Sequence, residues 1–114
     1  MSSDQFAQAI YEMAQSCHNN AVSHGFYNPV PSVPERLMLM VSELSEALEE
    51  YRNGRPPVYI GDNGKPEGLG VELADCVIRI LDTCAEQGID IGRLIVEKHE
   101  YNKTRPYRHG GKVI

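Results

Sequence analysis

Long apolar runs and paired cysteines are missing from this 114-residue sequence, and each absence excludes a class of protein. The longest apolar stretches hold about five residues, whereas a membrane-spanning helix needs about 20. The first residues contain no basic segment followed by an apolar one, so we expect no secretory signal. The three cysteines, Cys17, Cys76 and Cys84, form no C-x-x-C pair, and their odd number argues against a disulfide framework. We therefore expect a reduced, cytoplasmic protein.

Familiar catalytic and metal-binding motifs are also absent. The sequence has no G-x-x-x-x-G-K-[ST] phosphate loop and no H-E-x-x-H motif, and its four histidines are too dispersed for a zinc site. The tripeptide Asp62-Asn63-Gly64 resembles the start of a calcium-binding loop, but the remaining ligand positions are missing. We expect a simple turn at this point.

Basic residues are few and unevenly distributed. From Arg93 onward there are six Lys and Arg against two acids, whereas the preceding 92 residues hold five basic and fourteen acidic side chains. Such an acidic body would repel nucleic acid and an anionic membrane, so we expect neither a nucleic-acid polymer nor a membrane as a partner. The distribution suits a site where carboxylates hold a divalent cation and a basic segment meets a polyanion. A solvated surface with a charged tail explains it equally well.

Apolar periodicity and helix-boundary residues predict four helices and no strand. The helices are predicted to run from Ser2 with a capping box to Gln5, from Ser32 to about Arg52, from about Gly68 to Gln87, and from Asp90 to about Thr104. Between them, residues 24–34 form an extended connection, and residues 53–67 form a loop long enough to serve as a lid or binding loop. We expect residues 107–114 to form a mobile tail. We predict one all-α domain over residues 1–114.

Two of these helices carry regular apolar stripes that we expect to form the core. The stripe of the first helix contains Phe6, Ala9, Ile10, Met13, Ala14 and Cys17, and that of the second contains Leu37, Val41, Leu44 and Leu48. Apolar side chains of the third helix cover roughly 200° of its circumference, about twice the stripe of a surface helix. We therefore expect the third helix to be largely buried, and a dimer or tetramer to cover what one chain leaves exposed.

Pairs of acids three residues apart occur on the second and third helices: Glu43 with Glu46, and Glu72 with Asp75. Because such residues lie one above the other on a helix, two facing helices can gather all four carboxylates around a hard cation. Oxygen ligands of this kind suit Mg²⁺. An ordinary solvent face is the alternative, but carboxylates on the narrow polar strip of a largely buried helix are costly without a cation or partner.

Polar residues also follow one edge of the fourth helix and its continuation. Lys98, Asn102 and Arg105 recur at steps of four and three, with Tyr107 close behind. A cation, an amide and a guanidinium along one edge can follow a phosphate chain. The alternative is a basic helix C-terminus, which the helix dipole favours.

Taken in order, these motifs resemble the E-x-x-E…E-x-x-D signature of the MazG-like all-α nucleoside triphosphate pyrophosphohydrolases. The segments "SELSEALEEYRNG" and "GVELADCVIRILD" contain the two pairs, Gly25-Phe26-Tyr27 precedes them, and "EKHEYNKTRPYRHGGK" follows. The resemblance covers roughly residues 20–112. It implies a four-helix MazG-like bundle that assembles as a dimer or tetramer. It also implies hydrolysis of a nucleoside triphosphate, between its α- and β-phosphates, to the monophosphate and pyrophosphate.

The resemblance assigns roles to individual residues. It makes Glu43, Glu46, Glu72 and Asp75 the catalytic metal ligands for Mg²⁺, or for Mn²⁺ in its place. It assigns phosphate contacts to Lys98 and Asn102, a place in the trailing segment to Arg105 and Tyr107, and stacking on the base to Tyr27. Ser42 departs from the family, in which an acid often precedes the first ligand. The alternative function is a helical nucleotide-binding or protein-interaction module without turnover.

Overall fold

Four helices account for most of the computed structural model, which describes residues 1–107. They are α1 (Ser3–Ser23), α2 (Val33–Arg52), α3 (Leu69–Gln87) and α4 (Ile91–Lys103). Their boundaries confirm the predictions, because the capping residues act as expected. Ser2 and Gln5 close the capping box of α1, and the side chains of Ser32 and Asp90 accept hydrogen bonds from backbone N–H groups at the starts of α2 and α4. The all-α class is thus confirmed.

A small hairpin between α2 and α3 contradicts the prediction that the chain has no strand. Strand β1 (Tyr59–Ile60) pairs antiparallel with β2 (Pro66–Glu67), and the expected turn at Asp62-Asn63-Gly64 joins them. Two-residue strands are too short to produce the alternating apolar pattern on which strand prediction depends.

The segment before the hairpin is fastened to the start of α3. The backbone N–H of Gly70 donates to the carbonyl of Pro57 at 2.8 Å. Gly68 has φ +115°, and a Cβ at this position would collide with the same carbonyl, so only glycine fits the junction. Residues 53–67 therefore form an anchored connection rather than a free lid.

Small residues allow the helices to pack closely around α3. This helix packs against α1 and α2, and α4 packs on α1. Ala7, Ala14 and Ala21 are the buried residues of α1 and follow a seven-residue spacing. A Cβ on Gly92 of α4 would lie 2.9 Å from Cβ of Ile10 and 3.0 Å from Cα of Ala7, so α1 and α4 approach each other at a glycine.

The predicted apolar core of α2 is wrong for the single chain. Leu37, Val41, Leu44 and Leu48 are 51%, 50%, 48% and 53% exposed. The buried residues of α2 are instead Arg36, Glu43 and Ala47. The reason is that α2 turns its polar side chains toward α3, where they find charged partners, and so its leucine stripe faces outward.

The other two predicted core faces are only partly buried. On α3, the buried residues are Cys76, Leu81, Thr83 and Cys84, whereas Leu73, Val77 and Ile78 are exposed. On α1, Ala14 is buried as predicted, but Ala9 and Met13 are exposed. The three cysteines are free thiols, as expected. None of the helices within residues 1–107 combines the length and apolar character needed to cross a membrane.

Candidate metal centre

Three of the four predicted ligands converge between α2 and α3. Glu43, Glu46 and Glu72 each place one carboxylate oxygen within 4.8 Å of the other two. Glu43 is buried, Glu72 is partly buried and Glu46 is exposed, so the group opens from the helix interface to solvent. Asp75 does not belong to this carboxylate group. It lines a cavity next to Glu43.

The carboxylates differ in their electrostatic surroundings. Burial, together with hydrogen bonds to Glu46 and Glu43 and their charges, raises the pKa of Glu72 from 4.5 to about 7. Burial also opposes ionisation of Glu43, but the hydrogen bond from Arg79 and those with Glu72 and Glu46 outweigh it and lower its pKa. Of the three carboxylates, Glu72 is therefore the one that most readily takes up a proton, because it is partly buried and lies close to two other acids when no cation is bound.

Arg79 supplies the positive charge that balances the buried carboxylate of Glu43. Its Nε donates to Oε1 of Glu43 at 2.8 Å, with the arginine side chain 42% exposed and the glutamate side chain 9% exposed. A buried carboxylate without such a partner would be strongly destabilising. Arg79 thus keeps Glu43 ionised and oriented toward Glu46 and Glu72.

Two cavities flank the carboxylate group. The first, here called the α2-end cavity, has a volume of about 300 Å³ and is lined by Glu46, Glu49, Glu50, Arg55 and Glu72, with Ser45 and Asn53. The second, here called the α1-side cavity, has a volume of about 260 Å³ and includes Asn20, Phe26, Glu43, Asp75, Arg79 and Asp82 in its lining. Each cavity contains members of the carboxylate group, so a ligand could reach the group from both sides.

The polar stripe of α3 continues beyond the carboxylate group, where its side chains are paired with groups on other elements. This stripe consists of Glu72, Asp75, Arg79, Asp82 and Glu86. Oδ1 of Asp82 lies 2.8 Å from Nδ1 of His18 and accepts a hydrogen bond from the Tyr27 hydroxyl at 2.9 Å. The buried guanidinium of Arg36 donates to Glu86 at 2.7 Å. This stripe is therefore not the solvent face that the sequence left open as an alternative, because its charges face partners on α1, α2 and the α1–α2 connection.

Tyr27 is part of this network. Its ring meets His18 edge-on with the centroids 4.8 Å apart, and the Arg36 guanidinium lies 5.6 Å from the ring centroid. Burial and the hydrogen bond to Asp82 raise the pKa of Tyr27 to about 12. The aromatic side chain that lines the α1-side cavity is Phe26. Base stacking by Tyr27 stays a prediction, and its ring is engaged by protein groups.

The predicted phosphate-contacting residues lie elsewhere on the chain. Lys98 and Asn102 line a separate cavity on α4 together with Leu94 and Ile95, and neither lines the two cavities beside the carboxylates. The ammonium of Lys98 lies 4.7 Å from the centroid of the Tyr101 ring. Arg105 and Tyr107 are exposed, and the basic residues Arg108 and Lys112 lie outside the described part of the chain. The role of this segment stays a prediction.

The carboxylate group fits a hard divalent cation in its chemistry. Glu43, Glu46 and Glu72 provide oxygen atoms only, which is the ligand type that Mg²⁺ and Mn²⁺ prefer, and water and substrate oxygens would complete the coordination. The Ser42 hydroxyl donates to the backbone carbonyl of Leu39 at 2.6 Å. A bound cation would also offset the mutual repulsion of the carboxylates.

Arg79 and Arg55 are the basic residues that line the two cavities, and the sequence analysis did not assign either of them to the site. A signal for Arg79 was present, because it lies seven residues after Glu72 and four after Asp75, on the same helix face. No comparable signal exists for Arg55, which reaches the site through the irregular connection after α2. Its position depends on tertiary structure.

Comparison of the chain with models of protein families, with curated proteins and with solved structures gives no match. The arrangement of the carboxylates and the motif resemblance are therefore the grounds on which a function can be proposed.

Proposed function

We propose that this protein hydrolyses a nucleoside triphosphate between its α- and β-phosphates, with Mg²⁺ bound at the carboxylate group. The observation that carries the proposal is the convergence of Glu43, Glu46 and Glu72 from two helices to within 4.8 Å. Four-helix bundles commonly build such centres from acids on facing helices. The order of the two acid pairs along the chain, which resembles that of the MazG-like enzymes, supports the same reaction.

The chemistry required at this site is mainly charge neutralisation and positioning. A bound Mg²⁺ would stabilise the charge of the phosphate oxygens and polarise a water molecule. The protein contributes Glu43, which Arg79 keeps ionised, and Glu46 and Glu72 at the opening of the group. A carboxylate oxygen that does not bind the cation can accept the proton of the attacking water. Asp75 lies beside the group and completes the proposed set of four acids.

We also propose that the functional unit is a dimer or tetramer. The outward leucine and valine side chains of α2, together with Leu73 and Val77 of α3, are about half exposed in the single chain. An apolar surface of this kind, spread over two neighbouring helices, supports an interface with a second copy. Light scattering at micromolar concentration tests this, and a monomer that still turns over nucleotide would contradict it.

One observation favours a second candidate, a helical module that binds nucleotide or protein without turnover. The charges of the inward polar stripe on α3 are paired with protein groups, among them Glu43 with Arg79 and Asp82 with His18. Such pairing is what a purely structural role would require. A protein-interaction module should be indifferent to millimolar Mg²⁺, whereas carboxylates that bind the cation should raise the melting temperature in its presence. A nucleotide-binding module would differ from the enzyme in its lack of turnover.

A panel of canonical and modified nucleoside triphosphates, assayed with Mg²⁺ for released pyrophosphate, tests the proposed reaction. Glu46→Gln should abolish turnover with little loss of stability, whereas Glu35→Gln, an exposed acid in the first turn of the same helix, should leave turnover unchanged. Release of orthophosphate and a nucleoside diphosphate would reject the proposed bond. Absence of turnover with every substrate, combined with a melting temperature indifferent to Mg²⁺, would favour the second candidate.

A further inference from the structure

Arg55 occupies a distinctive place at the proposed centre. It is the basic side chain among the residues that line the α2-end cavity, where it faces Glu46, Glu49, Glu50 and Glu72. Two of these acids, Glu46 and Glu72, belong to the carboxylate group. Arg55 therefore shares one open cavity with the oxygens proposed to hold the cation.

The guanidinium of Arg55 is held in place by neighbouring side chains. Its Nη1 donates to the Tyr59 hydroxyl at 3.0 Å and lies 3.6 Å from Oε2 of Glu50. The Tyr59 hydroxyl in turn donates to the other carboxylate oxygen of Glu50 at 2.7 Å. These contacts use one nitrogen of the guanidinium, and the side chain is still 53% exposed. Within residues 1–107, its Nε and Nη2 donors have no protein acceptor and are available to a ligand.

The backbone that carries Arg55 is also anchored. The backbone N–H of Arg55 donates to the carbonyl of Glu50 at 3.2 Å, at the end of α2. Two residues later, the Pro57 carbonyl accepts the hydrogen bond from Gly70 that ties the connection to α3. The arginine thus starts from a fixed position at the rim of the cavity, so little ordering is needed when an anion binds.

Charge decides which anion this cavity can accept. Four glutamates line it against one arginine, so a bare phosphate group would be repelled. A phosphate group that arrives with its divalent cation brings compensating charge, and a guanidinium can then donate two parallel hydrogen bonds to its oxygens. A water molecule occupies about 30 Å³ in the liquid. A cavity of about 300 Å³ therefore has room for a small phosphate group with its hydration.

We infer that Arg55 contacts the diphosphate portion of the metal-bound substrate in the α2-end cavity. This inference rests on the proposed function and adds to it the position of the leaving diphosphate and the residue that binds it. Tyr59 and Glu50 act as positioning residues, because they hold the guanidinium at the rim before the anion arrives.

Calorimetric binding of magnesium imidodiphosphate, a diphosphate analogue that resists hydrolysis, tests the inference. We expect Arg55→Gln to weaken this binding about 10-fold to 100-fold, and Arg55→Lys to weaken it less, because lysine keeps the charge but cannot form a paired contact. Binding of Mg²⁺ alone should be unchanged or tighter in Arg55→Gln, since a nearby positive charge is removed. The matched control is Arg52→Gln, whose parent side chain is 67% exposed, pairs with Glu49 and does not line the cavity.

The outcomes separate failure of the inference from failure of the proposed function. If the parent protein binds Mg²⁺ and Arg55→Gln binds magnesium imidodiphosphate as tightly as the parent, Arg55 does not contact the diphosphate. If Arg52→Gln loses as much affinity as Arg55→Gln, the loss comes from the change in net charge and not from a contact with Arg55. The inference is then wrong as well. If the parent protein binds no Mg²⁺ at millimolar concentration, the proposed metal centre is wrong and the inference is lost with it. Helical signal and melting temperature identify a variant that has failed to fold. If Arg55→Gln fails to fold, the affinity of Arg55→Lys for magnesium imidodiphosphate tests the inference in its place.

Discussion

Replacement of Arg79 by glutamine should make the stability of the protein depend on a divalent cation. The substitution removes the 2.8 Å bond to Glu43, whose side chain is only 9% exposed, and leaves that carboxylate without its counter-charge. Loss of one partner from a fully buried pair costs about 3–5 kcal/mol, and an exposed pair contributes about 0–1 kcal/mol. Because the Arg79 side chain is 42% exposed, we expect a loss between these limits, about 1–2 kcal/mol.

Thermal unfolding followed by circular dichroism measures this loss directly. For a domain of this size, 1–2 kcal/mol corresponds to a fall in melting temperature of about 5–10 °C in the presence of a chelator. Millimolar Mg²⁺ should restore much of it, because the cation takes over the charge that Arg79 supplied, and should raise the melting temperature of Arg79→Gln more than that of the parent. Arg93→Gln is the matched control, since the Arg93 side chain is 40% exposed but pairs with Asp4, which is 86% exposed.

The pH dependence of the same experiment has a defined sign. Arg79 lowers the pKa of Glu43 below 4.5, so the stabilisation is complete above pH 4.5 and is lost as the pH falls through the lowered pKa. The difference between Arg79→Gln and the parent should therefore shrink in acid. Equal melting temperatures for the two proteins in chelator at neutral pH would refute the reasoning, as would a variant that Mg²⁺ stabilises no more than it stabilises the parent.

Three further predictions concern other parts of the molecule. Because the pKa of Glu72 is raised from 4.5 to about 7, the metal-free protein should lose about 1–3 kcal/mol of stability as the pH rises through this range. Urea titrations should show no such loss for Glu72→Gln, and parallel pH profiles of the two proteins would contradict the raised pKa. Gly92→Ala should destabilise the protein by about 1–3 kcal/mol, because the added methyl group would press on Ala7 of α1. A melting temperature equal to the parent's would mean that α1 and α4 move apart at little cost. Leu44→Glu should convert the proposed oligomer into a folded monomer by light scattering, and an unchanged mass would exclude this face from the interface.

The helix boundaries could be predicted from the sequence because local interactions determine them. Ser2, Ser32 and Asp90 cap backbone groups within three residues of themselves, and Gly88 ends α3 in the left-handed conformation. Interactions of this range are visible in a short window of sequence. The hairpin at Tyr59 escaped prediction because its strands are shorter than the pattern that reveals a strand.

Which face of each helix turns inward could not be predicted from periodicity. Leu44 and the neighbouring Glu43 lie on different faces of α2, and it is the glutamate that is buried. The deciding interaction is the bond to Arg79, 36 residues further along the chain. A hydrophobic stripe indicates that some surface must cover it, but not whether that surface belongs to the same chain.

Three of the four predicted acids converge, whereas Asp75 does not join them, and the surroundings of the site were less predictable still. Glu43, Glu46 and Glu72 could be grouped because two facing helices with repeated acids leave few arrangements. The orientation of Tyr27 and the position of Lys98 depend on how α1, α3 and α4 pack. Tyr27 contacts Asp82 rather than the three glutamates, and Lys98 lines a separate cavity. Long-range packing of this kind leaves no periodic pattern in the sequence.

The inward polar stripe of α3 has a consequence for the alignment of the helices along their axes. The buried residues of α1 and α3 include alanine and cysteine, whose small and similar shapes would tolerate a slip of one helical turn, about 5.4 Å. The polar pairs would not, because a slip of that size would separate Arg79 from Glu43, Arg36 from Glu86 and His18 from Asp82 simultaneously. These pairs therefore fix the position of α3 along its axis relative to α1 and α2. In that alignment the three glutamates of the proposed metal centre place carboxylate oxygens within 4.8 Å of one another.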